Sequence, residues 1–425
     1  MLNHIAREST AFNAIYNGKT VAIKFGGEEI QSPDFESAAA DMRALSDNGT
    51  NIIGVTGAGA QINRHYGKER KKIDGVAVTD KALMREGVLP AQAEVRERLL
   101  ELMPDATVLD AEHVLCDLHS DPRFGLVGIP KHLILPDKKL TFIRSIGKVQ
   151  TPEGSIDTNV NADDIARLLV EQEHDRIEEL MLLTPTAGVQ DIHGNIAPLL
   201  TEKRIDRILQ GEDPMIKANG GMLKKLIEVR KALEHVAKVV MTKSSGLREE
   251  IERWMGSGTL CIDSKQLSVS PMRYIEEPIF EEVNATCVEQ KYWRPRNETQ
   301  MNELKTFHRI LRVKNSPLGG MSLVPRNGWI ELSALWAGCI GNGMGQLLLD
   351  SAMTEAGKRK MYALCTNQDA VNAFSAHGKF QRLGKLKKLI ADGSSAIPEH
   401  LKEYQFTDRD PELFIAVMGN GRFAS

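Results

Sequence analysis

A lysine followed closely by paired glycines, at the end of a short apolar run, is an arrangement suited to phosphate. Residues 21–30 read VAIKFGGEEI, so Lys24 lies near the end of such a run and Gly26 and Gly27 come just after it. Glycine lets backbone N–H groups come close to an oxygen, and lysine supplies a compact positive charge. Lys-x-Gly-Gly alone also occurs in ordinary turns. A second element of the same design adds weight: GVTGAGAQI at residues 54–62 ends another apolar run in Gly57 and Gly59.

Three further segments carry chemistry. DTNVNADDIARLL (157–169) puts Asn159, Asn161 and Asp163 just before or within the first turn of an expected helix. Unpaired N–H groups and the positive dipole end there suit an anionic ligand and a positioned carboxylate. Plain helix capping by the same residues is the simpler alternative. LLTPTAGVQDIHGN (182–195) reads as a strand, a turn and a short hairpin. NGGMLKKLIEVRKAL (219–233) is a glycine-led helix start, with Lys224 and Lys225 expected in its first turn. Lysines there oppose the helix dipole, which favours a phosphate partner over a purely structural role.

Positioning these residues requires a scaffold, and the chain predicts an α/β one. Expected strands at 20–25, 51–57, 106–111, 140–147, 180–184 and 237–242 alternate with helix-period segments such as DFESAAADMRALSDNG. That alternation predicts a mostly parallel sheet with helices on both faces, whose ligands sit at the carboxyl ends of the strands. Both glycine turns fall at such ends. Residues 261–278 read as a linker, followed by a smaller α+β region with strands near 307–315, 321–324, 329–336, 362–366 and 413–419.

Bulk properties agree with an enzyme of two or three domains, the number suggested by 425 residues. Lysine and arginine number 54 against 57 acidic residues, a net charge of −3, and aromatics are 5%. Both values argue against a nucleic-acid partner. The five scattered cysteines form no metal-ligand pair or disulfide framework, which fits a reducing cytoplasm. The first residues, MLNHIAREST, lack the apolar core of a signal peptide, and no apolar stretch reaches membrane-spanning length, so no membrane partner is expected.

Over residues 10–260 these elements resemble, in order, the amino-acid kinase family, and within it the N-acetylglutamate kinase and synthase branch. DGVAVTD (74–80), GLVG (125–128) and GSGTL (256–260) extend the match. The resemblance implies a kinase domain over 1–262 that transfers phosphate from ATP, accompanied by Mg²⁺, to the side-chain carboxylate of N-acetylglutamate. No dedicated protein metal site is implied. Lys24 would meet the transferring phosphoryl group, Lys225 would steady the nucleotide from the opposite side, and Asp163 would organise both. Gly26, Gly27, Gly57 and Gly59 would donate N–H bonds to phosphate or substrate, and Asn159, with Asn161 beside it, would hold the amino-acid substrate. Homo-oligomers and an arginine effector are family traits. Two positions depart from the pattern: Ala77 stands where the family carries a carboxylate-binding arginine, and Thr56 where it carries a histidine. Arg64 or Arg85 would have to substitute, or the acceptor differs.

Residues 275–425 resemble the GNAT acetyltransferases through WIELSALW, GCIGNGMGQ and the helix after it, YALCT and TNQDAVNAF. The resemblance implies acetyl-CoA held by Gly343, Met344 and Gly345, acetyl transfer to glutamate, and a site asparagine at Asn367. Fusion of the two domains points to arginine biosynthesis. Ile340, Ala334 and Ala373 stand where the family has a polar turn residue, a lysine and a tyrosine. Cys365 and His377 are the remaining candidates for a general acid. Two alternatives therefore stand beside the bifunctional reading: a kinase whose second domain only binds and regulates, or an acetyltransferase whose first domain only senses arginine.

Overall fold

The computed structural model describes residues 16–67, 70–73, 76–252, 257–290, 292–337, 344–404 and 410–416. The chain divides into two compact units, one within Phe12–Gln266 and the other within Leu267–Ser425.

The first unit is built on an eight-stranded sheet: β1 (Thr20–Phe25), β2 (Asn51–Thr56), β3 (Thr107–Leu109), β4 (Leu140–Arg144), β5 (Ile177–Leu183), β6 (Leu199–Thr201), β7 (Lys238–Thr242) and β8 (Thr259–Ile262). Their order is β6-β8-β7-β5-β1-β2-β4-β3, parallel throughout except between β7 and β8. β1 is central, with helices on both faces, which is why its side chains are almost all buried and its sequence reads as a continuous apolar run. One face is covered by α2 (Pro33–Asp47), which follows the short helix α1 (Gly27–Gln31) and buries Phe35, Ala38, Met42 and Leu45. Phe35 packs on Phe25 with ring centroids 4.8 Å apart. On the other face α4 (Ala162–Gln172) buries Ile165, Ala166, Leu169 and Val170; between these helices in the chain lies α3 (Gly59–Tyr66), and α5 (Gly220–Ala232) comes later. In β2, Gly54 leaves room for the Phe142 ring: a Cβ there would lie well inside contact distance of the ring atoms.

Several elements differ from the expectation. The run 140–147 is two strands: β4 stays in the main sheet, and from Ile146 the chain joins a closed four-stranded barrel. Strands Gly154–Val160, Val127–Leu133, Val114–Leu118 and Ile146–Thr151 form that barrel. Their short mixed sequences carry no long apolar run, so periodicity alone did not mark them. Lys224 and Lys225 lie beyond the first turn of α5, which begins at Gly220. Near the β7–β8 edge, Glu250 accepts hydrogen bonds from the Gly258 N–H at 2.7 Å and the Thr242 hydroxyl at 3.1 Å, tying a long connection to the sheet.

The second unit holds a seven-stranded sheet of β9 (Leu267–Pro271), β10 (His308–Val313), β11 (Ser316–Arg326), β12 (Trp329–Ala337), β13 (Lys360–Cys365), β14 (Phe380–Lys385) and β15 (Glu412–Ala416), ordered β9-β10-β11-β12-β13-β15-β14. The linker reading of 261–278 is corrected here: the end of β8 and the whole of β9 fall within it. β9 is a half-exposed edge strand with polar residues facing out, which gives it the composition of a linker. The helices α6 (Met344–Ala356) and α7 (Gln368–Ala376) follow β12 and β13. At the core, Trp336 Nε1 donates to His308 Nε2 at 3.1 Å, so the His308 proton sits on Nδ1 and is given to the Ser322 hydroxyl at 2.8 Å, which donates to the Leu304 carbonyl at 3.2 Å.

Candidate active site

Parallel pairing of β1 with β2 puts Lys24 opposite Val55 and Phe25 opposite Thr56, so the two glycine turns leave the sheet side by side. They touch: a Cβ on Gly57 would lie 3.9 Å from both Gly26 Cα and Gly27 N, and 3.6 Å from Ala162 Cβ at the start of α4. The Gly57 N–H donates to the Phe25 carbonyl at 3.0 Å, and Gln61 Nε2 to the Gly27 carbonyl at 2.8 Å. The α4 terminus then delivers Asp163, whose Oδ1 lies 2.5 Å from Lys24 Nζ, with Lys24 mostly buried and Asp163 partly exposed. Lys225 completes the group. Burial lowers its pKa, the Lys24 charge lowers it further, and Glu29 and Asp163 act in the opposite direction. Two lysines and a carboxylate therefore meet where two glycine turns and a helix terminus converge.

Asn159, the penultimate residue of the Gly154–Val160 strand, donates from Nδ2 to the Thr79 hydroxyl at 3.0 Å, which joins the segment after the Lys72–Ile73 and Val76–Ala77 strand pair to the strand leading into α4. Thr79 also exchanges backbone bonds with Phe124 and Leu126. Gly125 must be glycine there: its φ is +68° and a Cβ would collide with the Thr79 carbonyl. Asn161 caps α4, its side chain accepting from the Asp163 N–H at 3.1 Å, so the capping reading and the positioning of Asp163 are one contact. Arg64 is paired with Glu94, and the exposed Arg85 with Glu86, so both are already neutralised.

In the second unit, β12 and β13 pair in parallel only from Trp329–Lys360 to Leu332–Ala363, and beyond that the strands part. At the parting Ala334 has φ +48°, a left-handed conformation that a non-glycine residue seldom holds. Met344 and Gly345 begin α6; Gly343 lies outside the described residues. Nothing lies within 4 Å of a Cβ on Gly345, whereas the Met344 side chain is buried. Asn367 caps α7, accepting from the Ala370 N–H at 2.8 Å. Cys365 is buried and its thiol is pushed up to about 12, too weak an acid to serve a leaving thiolate near neutrality. His377 is buried beside Phe380, 3.4 Å from the Asp350 carboxylate.

Residues 19–243, more than half of the chain, match the amino acid kinase family. The chain belongs to that family. An acetylglutamate kinase of Acinetobacter baumannii is a homologue, 28% identical to this chain over 221 residues that cover 46% of this chain and 72% of the relative. In fold, this chain is similar to N-acetylglutamate synthase from Neisseria gonorrhoeae complexed with coenzyme A and L-arginine, with TM-score 0.66 at 16% identity over 97% of this chain and 98% of that one. The same synthase complexed with coenzyme A and N-acetyl-glutamate gives 0.56 at 18%, covering 96% and 97%. The first unit thus has the amino-acid kinase fold, the second shares the α+β fold of the rest of that synthase, and the protein is an enzyme, a transferase.

Three charged residues of the chain went unread in its sequence. Glu29 follows the first glycine turn, is buried, and accepts from the Ser244 hydroxyl at 2.6 Å. Arg296 lies beside the parted strands, 3.5 Å from the Ser333 hydroxyl and 3.4 Å from Asn284 Oδ1, with no carboxylate in ion-pair range among the described residues. Burial, helped by Arg294, lowers its pKa to about 10. Arg70 is the third. Each is a charged residue whose neighbours come from distant segments, so local pattern held no signal for it.

Proposed function

We propose that the first unit phosphorylates the side-chain carboxylate of N-acetylglutamate with ATP, and that the second transfers an acetyl group from acetyl-CoA to glutamate. The observation that carries the kinase reading is the 2.5 Å Lys24–Asp163 pair at the junction of the two glycine turns. Phosphoryl transfer to a carboxylate needs no base, because the nucleophile is already ionised; it needs charge neutralisation and alignment. Lys24 neutralises the transferring phosphoryl group and Lys225 the nucleotide phosphates, with Asp163 holding Lys24 in place. Gly26, Gly27, Gly57 and Gly59 donate backbone N–H groups, and Asn159 holds the acceptor, with Asn161 fixing the helix start beside it. Mg²⁺ arrives on ATP, since Asp163 and Glu29 are engaged by Lys24 and Ser244. Homology to acetylglutamate kinases supports the acceptor.

The kinase domain is taken as residues 1–262 and the acetyltransferase-like domain as 275–425, with β9 of the same sheet in front of it. Gly343, Met344 and Gly345 take acetyl-CoA, the last two from the start of α6, and Arg296 offers a charge for the carboxylate of glutamate. A cytoplasmic homo-oligomer that responds to arginine completes the reading; among the described residues no helix is long and apolar enough to cross a membrane. ADP release with Mg-ATP and N-acetylglutamate tests the kinase. Turnover is expected, and Lys24→Ala should lower kcat by about 10²–10³-fold; a variant as active as the native enzyme would remove Lys24 from the mechanism.

A second reading of the C-terminal unit draws on Asn367, whose side chain is spent on capping α7, and on Ala334 and Ala373. On that reading the unit binds acetyl-CoA and regulates the kinase. Titration calorimetry with acetyl-CoA, followed by an assay for free coenzyme A, separates the two: binding without turnover favours the regulator.

A further inference from the structure

N-Acetylglutamate carries two carboxylates and only one of them is phosphorylated. The other enters the same partly dehydrated site as a full negative charge, and a site that leaves it unpaired loses much of its affinity. Most cations nearby are committed. Lys24 is bound to Asp163, Lys225 is assigned to the nucleotide, Arg64 is paired with Glu94 and Arg85 with Glu86. Position 77, on the strand pair near the acceptor, is alanine.

Arg70 is different. It is half-buried, and among the described residues it makes no hydrogen bond or ion pair. Its Nη2 lies 3.9 Å from the position a Cβ would take on Gly59, in the second glycine turn. The strand arms that follow it are fixed: the Val78 N–H donates to the Lys71 carbonyl at 2.9 Å, and Thr79, one residue on, is bound by Asn159 at 3.0 Å. A guanidinium is therefore held near one end of a path that runs through Asn159 to Asp163. Burial lowers its pKa, as expected of a cation without a countercharge.

We infer that Arg70 receives the unreacted carboxylate of the acceptor through a bidentate contact and so sets the enzyme's preference for a dicarboxylate. This rests on the acetylglutamate kinase reading above.

The test is steady-state ADP release by the native chain, Arg70→Ala and Arg70→Lys. The acceptors are N-acetylglutamate and 4-acetamidobutanoate, which keeps the reacting carboxylate and lacks the other. Arg70→Ala is expected to raise KM for N-acetylglutamate about 10- to 100-fold, with KM for ATP unchanged as the control for a folded nucleotide site. Arg70→Lys, a point charge without the fork, should fall between. With 4-acetamidobutanoate, the native enzyme and Arg70→Ala should be equally poor. A native KM for N-acetylglutamate in Arg70→Ala, or an equal loss with both acceptors, would overturn the assignment while leaving the kinase reading intact. No ADP release by the native chain would instead sink the kinase reading, and this inference with it.

Discussion

Gly26 and Gly27 are adjacent and alike in sequence, yet they are constrained by different things. A Cβ on Gly27 would collide with Gln61 Oε1 and lie 3.1 Å from the Ala58 backbone, so the glycine lets the two turns pack. At Gly26 nothing lies within 4 Å, and φ is an ordinary −84°. Its missing side chain leaves open space where, on the proposed mechanism, phosphate approaches. Gly27→Ala should therefore cost about 1–3 kcal/mol of stability through overpacking, read as a lower Tm. Gly26→Ala should keep the native Tm and raise KM for ATP; equal behaviour of the two variants would contradict the distinction. The sequence marked both glycines, together with Lys24, Asp163 and Lys225, because each sits in a run whose local pattern is distinctive. Glu29, Arg70 and Arg296 were illegible, since what matters about them is a missing or distant partner, and that is a property of the folded chain.

Among elements, legibility followed burial. Strands buried on both faces, such as β1 and β5, write their position as apolar runs, whereas the four barrel strands and the edge strand β9 mix polar and apolar residues and left little trace. The connection between β7 and β8 illustrates a cost that no pattern shows. Burial pushes the Glu250 carboxyl up from 4.5 to about 7, although Gly258 and Thr242 hydrogen-bond to it. The folded state thus keeps a proton that the unfolded chain releases between pH 4.5 and 7, so stability falls as pH rises through that window, by about 3 kcal/mol in total. Glu250→Gln stays neutral and can still accept both bonds. Its Tm should match the native value near pH 4.5 and exceed it at pH 8; a constant difference across that range would show that Glu250 ionises freely.

At the scale of the whole molecule, each compact unit carries its own buried titratable group, and the two lean in opposite directions. In the C-terminal unit burial, aided by Arg309 and Arg312, pushes His308 down from 6.5 to about 3. The unfolded chain takes up a proton there as pH falls below 6.5, the folded unit does not, and stability is lost progressively toward pH 3. Acid should thus weaken the C-terminal unit while relieving the strain at Glu250 in the first. Scanning calorimetry between pH 5 and 8 should show the C-terminal transition moving down in acid, and His308→Gln should flatten that movement; an unchanged slope in the variant would place the acid sensitivity elsewhere. The strand–helix order of the first unit was legible from the alternation of apolar runs with helix-period segments.

The close fit of Gly54 under the Phe142 ring reaches beyond this one chain. A ring at one position occupies the volume any side chain at the other would need, so neither can drift alone without passing through a damaged intermediate. Substitution at either site is therefore expected to need a compensating change at the other. A comparison of many relatives would record that need as correlated substitution, with a large residue at one position accompanied by a small one at the other.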